Sequence, residues 1–392
     1  MNILFVSEDY YPHLSGVPVV VKYLAEGLAE KHQVTVATSI SPSDDLPAED
    51  ILNGVKIFRF VVYRNLAKLL HGDIRGLQQF VLNGNYDVIV IECGQAATTD
   101  ALLPVMEQVK VPCVLHAHGL SGLLSKPFAL KSDYKHTIGN TYNWLRMQFY
   151  YGYTFKRQCK HYAASISLTS CDSGYDYLSK HIAKNYVLCN AADDIFFRET
   201  KEHYILSVED KPYLISIANY TVVKSQLDML REFYLSDKRD YALIMIGSKK
   251  TAYYNRLLQE KRRLDKQYGG RTVLMLTGVD RKFFPRILDR ASGYLVSSTY
   301  EEFSISIIEA MARRVPFVST DVGNARELPG GIVVDDVHQM HTTIESLLSD
   351  ERKRIQLGEQ GKQYAFEHCR RQAAVDKLEQ ILYEVIKYTY EV

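Results

Sequence analysis

The sequence has few cysteines and no long apolar run. No Cys-x-x-Cys pair occurs among its six cysteines, which are Cys93, Cys113, Cys159, Cys171, Cys189 and Cys369. This spacing argues against a disulfide framework and is typical of a reduced cytosolic compartment. No apolar run reaches the roughly 18 residues that a membrane-spanning helix needs. The N-terminal MNILFVSEDYYP lacks the basic start and long apolar run of a signal peptide, so we expect a cytoplasmic protein.

The chain also lacks an excess of either charge, since its formal net charge is only +1. It therefore offers no overall electrostatic attraction for nucleic acid. The first predicted strand is followed by SEDYYPHLSGVP, which does not supply the Gly-x-Gly-x-x-Gly turn of a dinucleotide-dependent oxidoreductase. Internal repeats and low-complexity segments are absent too. With 46% apolar and 24% charged residues over 392 positions, the chain is of ordinary globular composition and long enough for two domains.

Short apolar runs alternate with amphipathic segments along the whole chain. The first half contains NILFVS, QVTVATS, VKIFRFV, YDVIVIE, PCVLHAH and AASISLTS, and the pattern restarts after about residue 210 with PYLISIAN, YALIMIG, TVLMLTG, SGYLVSS, VPFVST and GIVVDD. Helical stretches such as VPVVVKYLAEGLAEKH and TAYYNRLLQEKRRLDKQ lie between them. Near-continuous apolar strands separated by helices predict parallel sheets that are covered on both faces.

The restart of the pattern predicts an α/β protein with two Rossmann-like, doubly wound domains. We place the first at residues 1–195 and the second at residues 196–370, joined near the polar, strand-poor stretch LCNAADDIFFRETKEHY. Residues 371–392 predict a long amphipathic helix. Open parallel sheets bind ligands at the carboxyl ends of their strands, so the expected site is the cleft between the two domains.

The stretch EEFSISIIEAMARRVPFVSTDVGNARE, residues 301–327, contains two carboxylates with seven residues between them. Glu301 lies in a loop after the strand SGYLVSS, and Glu309 lies on the helix that follows. The helix N-terminus and the hydroxyls of Ser304 and Ser306 offer donors and partial positive charge to a phosphate. Carboxylates repel phosphate but accept strong hydrogen bonds from hydroxyls, so the combination indicates a nucleotide-sugar. The alternative is an ordinary helix that carries one solvated glutamate, with the other glutamate in the loop before it.

This segment resembles the Glu-x7-Glu signature of the family-4 retaining glycosyltransferases of the GT-B fold, and the resemblance continues through EAMA, Pro316, TDVG and Glu327. PHLSGVPVVVKYLAEGLAEKHQVTV is similar to the family's N-terminal glycine loop and helix. VLHAHGL is similar to the segment with its active-site histidine, and LCNAAD to the run before its linker. IANYTVVKSQ is similar to the turn that holds its diphosphate-binding lysine, here Lys224.

The resemblance implies that a sugar is transferred from a nucleotide-diphosphate donor to a glycan, a lipid-linked or another hydroxyl acceptor, with retention of the anomeric configuration. The domain at 1–195 would hold most of the acceptor site and the domain at 196–370 the donor. The helix at 371–392 would cross back onto the first domain. Neither a metal nor an organic cofactor is implied, because a helix N-terminus and cationic side chains would neutralise the leaving diphosphate.

The resemblance also implies roles for individual residues. Glu301 would bond hydroxyls of the donor sugar, Glu309 the ribose, and Lys224 the diphosphate. The implied catalytic residues are Glu301, His118 and Lys224. The implied donor-binding residues are Gly16, Asn219, Lys224, Val279, Phe303, Ser304, Ile305 and Glu309, and the implied acceptor-binding residues are Tyr11, Ser15 and His118.

Several positions depart from the family's pattern. Asn219 stands where the family has an arginine, which removes one bidentate phosphate clamp. Ser15 replaces a loop glycine and leaves Gly16 to allow close backbone approach. Arg314 replaces the glycine that ends the helix, an unfavourable exchange if φ is positive there. The alternatives are therefore a non-catalytic GT-B relative that binds a sugar nucleotide or glycan, and a GT-B isomerase or hydrolase of nucleotide-sugars.

Cys113, His116 and His118 are close enough in sequence to raise the question of a metal site. On a strand, His116 and His118 share one face while Cys113 lies on the other. The sequence shows no further ligand cluster, so we expect no metal here.

Residues 126–162 combine basic and aromatic side chains. Asp133 is the single acid among seven basic residues, which are Lys126, Lys131, Lys135, Arg146, Lys156, Arg157 and Lys160. Basic residues interleaved with Trp and Tyr are typical of an anionic membrane interface or of a site for a lipid-diphosphate acceptor, which would place the protein at the inner face of a membrane. The alternative is a helix pair that covers the N-terminal sheet, with its basic residues solvated. The sequence leaves both open.

Overall fold

The computed structural model describes residues 1–12, 16–65, 68–124, 134–202, 204–208 and 211–391. The chain forms two units. Unit 1 consists of Met1–Cys189 with Arg371–Val392, and unit 2 consists of Asn190–Arg370. The division therefore lies six residues before the boundary placed at 195/196 from the sequence, and the C-terminal helix belongs to unit 1.

The strands of unit 1 are β1 (Asn2–Ser7), β2 (Gln33–Ser39), β3 (Glu49–Leu52), β4 (Val55–Phe60), β5 (Val62–Arg64), β6 (Leu70–Gly72), β7 (Val88–Glu92), β8 (Cys113–His116), β9 (Ala164–Ser167) and β10 (Asn185–Val187). Eight of them form one sheet in the order β10-β9-β8-β7-β1-β2-β4-β3, and β5 pairs with β6. The large sheet is parallel except at its edge, where β3 runs antiparallel to β4. The sequence missed β3, β5, β6 and β10, because these three- and four-residue strands are partly exposed and have no continuous apolar run.

The helices of unit 1 are α1 (Val17–Ala29), α2 (Ile74–Asn83), α3 (Ala97–Leu102), α4 (Tyr134–Phe149), α5 (Phe155–Gln158), α6 (Tyr175–His181) and, from the chain's end, α13 (Arg371–Glu391). Helix α13 packs on α1. Gly27 makes this possible, since a Cβ there would lie only 2.5 Å from a methyl group of Val375. Glu379 of α13 also pairs with Lys31 at 3.0 Å and with His32 at 2.6 Å.

The strands of unit 2 are β11 (Tyr213–Ile217), β12 (Ala242–Gly247), β13 (Val273–Thr277), β14 (Ala291–Val296), β15 (Phe317–Thr320) and β16 (Gly331–Val334). They form one fully parallel sheet in the order β13-β12-β11-β14-β15-β16. Its helices are α7 (Gln226–Leu235), α8 (Ala252–Tyr268), α9 (Phe284–Asp289), α10 (Ile305–Ala312), α11 (Met340–Ser349) and α12 (Glu351–His368).

Alternate residues of each strand in unit 2 enter two separate cores. Tyr213 and Ile215 of β11 pack with α9, α10 and α12, whereas Leu214 of the same strand packs with α7, α8 and α11. Successive side chains of a strand point to opposite faces, so a sheet covered on both faces needs apolar residues at every position. The predicted parallel sheets covered by helices are confirmed. Among the described residues, no helix combines the length and apolar character needed to cross a bilayer.

Arg314 occupies the left-handed position that ends α10, with φ of 61°. Its N–H donates to the carbonyl oxygen of Met311 at 2.9 Å, and the N–H of Val315 donates to that of Ala310 at 2.9 Å. These two bonds form a Schellman motif, in which glycine is the preferred residue at the position of Arg314. The position thus requires positive φ, and arginine is unfavourable there because its Cβ disfavours the left-handed conformation.

Arg314→Gly should therefore raise the free energy of unfolding by about 0.5–1 kcal/mol. A left-handed non-glycine residue costs about 1–2 kcal/mol, and the greater chain entropy of an unfolded glycine offsets part of the gain. Urea denaturation of both proteins measures the difference. Arg314→Ala is the matched control, because it removes the same exposed ion pair with Glu359 without relieving φ. Equal stabilisation by both variants would contradict the explanation.

Candidate active site

Unit 2 brings Lys224 and Glu301 into direct contact. Lys224 ends the 3-10 turn Val222–Lys224 that follows β11, and Glu301 lies in the loop between β14 and α10. Nζ of Lys224 lies 2.5 Å from Oε1 of Glu301, and the hydroxyl of Ser298 donates to the same oxygen at 2.7 Å. Strands β11 and β14 are neighbours, so the ion pair lies at the carboxyl edge of the sheet, where parallel sheets bind ligands.

Hydrogen bonds to the backbone hold the two loops of this ion pair together. The N–H of Thr299 donates to the carbonyl oxygen of Val223 at 2.8 Å, and the hydroxyl of Ser297 donates to that of Lys224 at 3.0 Å. Ser225 then turns the chain into α7 with a left-handed φ of 47°. The position of Lys224 relative to Glu301 is therefore set by the backbone as well as by the ion pair.

The first turn of α10 follows Glu301 closely. Ser304 is the N-cap residue and is buried, but its hydroxyl contacts that of Ser306 at 3.3 Å and does not cap the helix. The N–H of Ser304 donates to Oδ1 of Asn324 at 3.0 Å. The N–H groups of the next residues donate no hydrogen bond to the Ser304 side chain. The helix start therefore keeps the donors and partial positive charge that bind a phosphate.

Glu309 is buried on α10 and forms an ion pair with Arg281. Arg281 begins the 3-10 turn Arg281–Phe283 that follows β13, and its side chain is half exposed. The interpretation of Glu309 as a solvated helix residue is therefore wrong. A buried carboxylate needs a charged or hydrogen-bonding partner, and Arg281 supplies one.

The remaining donor-binding candidates of unit 2 lie at or near the carboxyl ends of strands. Asn219 is exposed after β11, and its Oδ1 accepts a hydrogen bond from the N–H of Ser248 at 3.3 Å. Val279 follows β13, and both Val279 and Phe303 pack against the core that contains α10. Ile305 is the first residue of α10 and is partly buried. Their roles in donor binding stay predictions.

Of the candidates near the N-terminus, Gly16 and Tyr11 are described and Ser15 lies outside the described residues. Gly16 is the N-cap residue of α1, with φ of 72°, so the position requires a residue that tolerates positive φ. A Cβ at Gly16 would meet no atom within 4 Å, so conformation rather than crowding favours glycine. Tyr11 is 39% exposed, and its carbonyl oxygen accepts a hydrogen bond from Arg59 at 3.3 Å. Acceptor binding by Tyr11 and Ser15 stays a prediction.

His118 lies after β8, at the carboxyl edge of the sheet of unit 1, with φ of 54°. Its ring is buried, and Nε2 lies 2.6 Å from Oε2 of Glu92, the last residue of the neighbouring strand β7. Nδ1 of His116 lies 3.1 Å from the same oxygen, and the two imidazole centroids are 3.9 Å apart. The sequence identified both histidines but missed the buried carboxylate between them.

The pKa values show how the charge in this cluster is distributed. Burial alone would raise the pKa of Glu92, but the imidazoles of His116 and His118 outweigh burial and lower this pKa to about 2. Burial and the charge of His116 lower the pKa of His118 to about 4, despite its hydrogen bond to Glu92. At neutral pH, Glu92 is therefore ionised and His118 is neutral, so Nε2 carries the proton that it donates to Glu92.

The potential ligand atoms of Glu92, His116 and His118 lie within 4.8 Å of one another, which is a spacing that a metal could use. Imidazole nitrogen and carboxylate oxygen are ligands that zinc accepts. A metal on Nε2 of His118 would have to displace the proton that bonds Glu92. The 2.6 Å contact pairs Nε2 of His118 with Oε2 of Glu92, whereas Oε1 of Glu92 and Nε2 of His116 are buried without a hydrogen-bond partner among the described residues. We assign Glu92 and His118 as a buried hydrogen-bonded pair, and the absence of a metal stays a prediction.

Glu92→Gln should lower the free energy of unfolding at pH 7 by about 1–1.5 kcal/mol, because a glutamine oxygen still accepts from Nε2 but without the charge. The folded pKa of Glu92 lies below its ordinary value of 4.5. Its contribution to stability is therefore complete above pH 4.5 and is lost as the pH falls towards about 2. Urea denaturation at pH 7, 5, 4 and 3 should show the two proteins converging in acid. A difference that stays constant over this range would contradict the assignment.

Arg281 and Ser298 were also missed by sequence analysis, although each follows a predicted strand of unit 2. Arg281 comes four residues after β13, and Ser298 comes two residues after β14. The carboxyl ends of parallel strands meet at one edge of the sheet. That rule could have placed both residues at the same edge as Lys224 and Glu309. It could not have identified the side chains with which they pair.

Comparison with known proteins identifies the family. Residues 197–364 match the family described as glycosyl transferases group 1, and residues 15–155 match the glycosyl transferase 4-like domain. The chain is a group 1 glycosyltransferase. The resemblance of the Glu-x7-Glu segment to glycosyltransferases of the GT-B fold is thus confirmed. In this glycosyltransferase the group 1 match contains Lys224, Arg281, Glu301 and Glu309, and the other match contains Glu92 and His118.

Solved structures resemble this glycosyltransferase over almost its whole length. Sucrose-phosphate synthase from Thermosynechococcus elongatus has a TM-score of 0.72 at 15% identity, covering 99% of this chain and 100% of that one. The α,α-trehalose 6-phosphate synthase from Burkholderia multivorans has a TM-score of 0.71 at 14% identity, covering 99% and 100%. HepE from Anabaena, in complex with UDP, has a TM-score of 0.67 at 14% identity, covering 98% and 100%. These likenesses show the fold. No curated protein matches the sequence significantly.

Proposed function

We propose that this glycosyltransferase transfers a sugar from a nucleotide-diphosphate donor to a hydroxyl acceptor, with retention of configuration and without a metal. The observation that carries the proposal is the contact between Lys224 and Glu301, 2.5 Å apart, beside the start of α10. A cation and an uncapped helix start attract a diphosphate, while a carboxylate next to them repels it and selects hydroxyl groups. A donor that joins a diphosphate to a sugar satisfies both requirements.

In this proposal the leaving diphosphate is stabilised by Lys224 and by the N–H groups at the start of α10. Negative charge grows on the diphosphate as the glycosidic bond breaks, and donors already in place stabilise that charge without reorganisation. Glu301 accepts hydrogen bonds from the donor sugar and stabilises the positive charge that develops on its ring. These groups supply the charge that a metal would otherwise provide, so we infer that transfer continues in the presence of EDTA.

Glu309 and Arg281 form the second part of the proposed donor site. A ribose hydroxyl would share Glu309 with Arg281, since a carboxylate offers several acceptor positions. Arg281 also places a half-exposed cation at the end of β13, on the same unit as Asn219. It is therefore a candidate to replace the phosphate-binding arginine that is missing at position 219. The HepE complex with UDP supports a nucleotide diphosphate as the ligand of this fold.

The acceptor in this proposal is a hydroxyl of a glycan or of a lipid-linked sugar, and unit 1 contributes its residues. The hydrogen bond to Glu92 leaves Nδ1 of His118 as the ring nitrogen without a proton. Nδ1 can therefore accept a hydrogen bond from a substrate hydroxyl. Tyr11 and Ser15 are the other acceptor residues that we propose.

The function is tested by screening nucleotide-sugars for thermal stabilisation and then following the best donor by NMR. A ligand at 100 times its Kd should add about 2.7 kcal/mol to the free energy of unfolding. With that donor and a set of glycan acceptors, the product should keep the donor's anomeric configuration. An inverted product would contradict retention. Donor binding without any transfer would support the non-catalytic alternative, and conversion of the donor alone would support the isomerase or hydrolase.

A further inference from the structure

One helix of unit 1 exposes a row of large apolar side chains. Helix α4, the π-helical turn Tyr150–Thr154 and α5 form one continuous helical segment. Among the side chains described on it, four large apolar or aromatic ones are more than half exposed, namely Tyr142 (64%), Leu145 (55%), Phe149 (64%) and Tyr153 (52%). Their spacing of three or four residues places them in a single row along the helix, which we call the outer face. Contiguous exposed apolar surface of this kind marks an interaction site in a soluble protein.

The opposite side of the same segment is already used by the core. Met147, Tyr151, Phe155 and Cys159 are all buried and pack with the sheet of unit 1. In a regular α-helix, side chains four residues apart differ in direction by about 40°, so a row of them drifts around the helix. The wider turn Tyr150–Thr154 takes up part of this drift and keeps the four side chains towards the sheet. The outer face is therefore distinct from the core face, which Met147, Tyr151, Phe155 and Cys159 form in the described part of this segment.

The charged residues of this helical segment have one sign. Residues 134–171 contain neither Asp nor Glu. Lys156 and Lys160 are exposed and follow Tyr153 at helical spacing, and Arg146 follows Tyr142 by four residues. The guanidinium of Arg157 lies 5.3 Å from the ring centroid of Tyr153 and donates to its hydroxyl at 2.7 Å. Within this helical segment, apolar side chains are thus flanked by cations and by no acid.

We propose that the outer face of this helix docks on the surface of an anionic lipid bilayer. Leu145 and Phe149 would enter the acyl boundary, tyrosines would lie at the level of the headgroups, and Arg146, Lys156 and Lys160 would contact anionic lipids. A convex helix with a basic border is complementary to a flat anionic surface. The inference does not depend on the sugar chemistry, because the outer face contains none of the proposed donor or acceptor residues.

A second copy of the chain is a poorer occupant of the outer face. A twofold contact would place the same basic patch on both sides of the interface. Arg146, Lys156 and Lys160 of one copy would then face like charges of the other, which is unfavourable and removes the complementarity that a stable interface needs. An anionic surface instead attracts Arg146, Lys156 and Lys160. Charge therefore favours lipid over self-association.

The test is co-sedimentation of the full chain with vesicles of phosphatidylcholine alone and of phosphatidylcholine with 30% phosphatidylglycerol. We expect binding to the anionic vesicles in 50 mM NaCl and much weaker binding in 500 mM NaCl, because salt screens the charges. Lys156→Ser with Lys160→Ser should weaken the apparent affinity by roughly 25-fold, since each basic residue near an anionic surface contributes about fivefold. Leu145→Ser with Phe149→Ser should weaken it by at least roughly tenfold.

The matched control changes an exposed apolar residue and an exposed lysine elsewhere. Lys353→Ser with Ile355→Ser alters α12, where Ile355 is 57% exposed and acids such as Glu351 lie nearby, and should leave binding unchanged. Thermal unfolding checks that all variants are folded. Equal binding to both kinds of vesicle, no binding to either, or unchanged binding by both outer-face variants would overturn the proposal. So would a wild-type dimer in solution that Leu145→Ser with Phe149→Ser converts to a monomer.

Discussion

Glu301→Gln should lower kcat on the order of 10² or more while leaving the donor KM unchanged or slightly lower. The amide keeps the shape of the side chain and can still accept the hydrogen bond from Ser298, but it lacks the charge that stabilises the flattening, positively charged sugar ring. It also no longer pairs with Lys224, whose charge then acts on the diphosphate alone. Steady-state kinetics with varied donor measures both constants.

Glu309→Ala is the internal comparison for Glu301, because the two glutamates are assigned different roles. A hydrogen bond to the ribose is similar in the ground state and the transition state, so its loss should mainly raise the donor KM. The variant also leaves Arg281 without the Glu309 carboxylate, so thermal unfolding must show that the protein remains folded. Unchanged kinetics in both Glu301→Gln and Glu309→Ala would show that the Glu-x7-Glu segment is only structural.

Lys224→Ala should weaken the binding of a nucleoside diphosphate by about 1.5–3 kcal/mol, the usual value of a charged hydrogen bond. The structure adds a reason for a value near the upper end. Without Lys224, the carboxylate of Glu301 stays beside the diphosphate site and repels the ligand. Isothermal titration calorimetry measures the loss. The double variant Lys224→Ala with Glu301→Gln should bind more tightly than Lys224→Ala alone, since the repulsion is then removed.

Two further variants control this prediction. Lys266→Ala removes an exposed lysine from α8 and should leave diphosphate binding unchanged. Asn219→Arg should leave donor affinity unchanged or improve it, because the side chain of Asn219 is exposed and makes one long hydrogen bond of 3.3 Å to Ser248. Full affinity in Lys224→Ala would refute the assigned role of Lys224. A large loss in Asn219→Arg would show that the pocket differs from the family plan.

The order of strands and helices could be predicted because each depends on nearby residues. The run YALIMIG is apolar at every position, and β12 is buried on both faces. By contrast, β10 is a three-residue edge strand with a polar first residue, so no local pattern separates it from a loop. The resemblance identified Arg314 as unfavourable, because the family has a glycine at the end of that helix, and its φ of 61° agrees with that reasoning.

The two parallel sheets, the helix of the Glu-x7-Glu segment and the family of the chain could all be inferred from the sequence, because periodicity and motifs are properties of neighbouring residues. The partners of the charged side chains, by contrast, follow from the tertiary structure. It paired Lys224 with Glu301, Arg281 with Glu309 and His118 with Glu92, which are 77, 28 and 26 residues apart. It also decided which aromatics of residues 142–155 are core and which form the outer face. A side chain's partners and exposure depend on which strands are neighbours in the sheet, and that order is set by packing of the whole unit rather than by any local stretch of sequence.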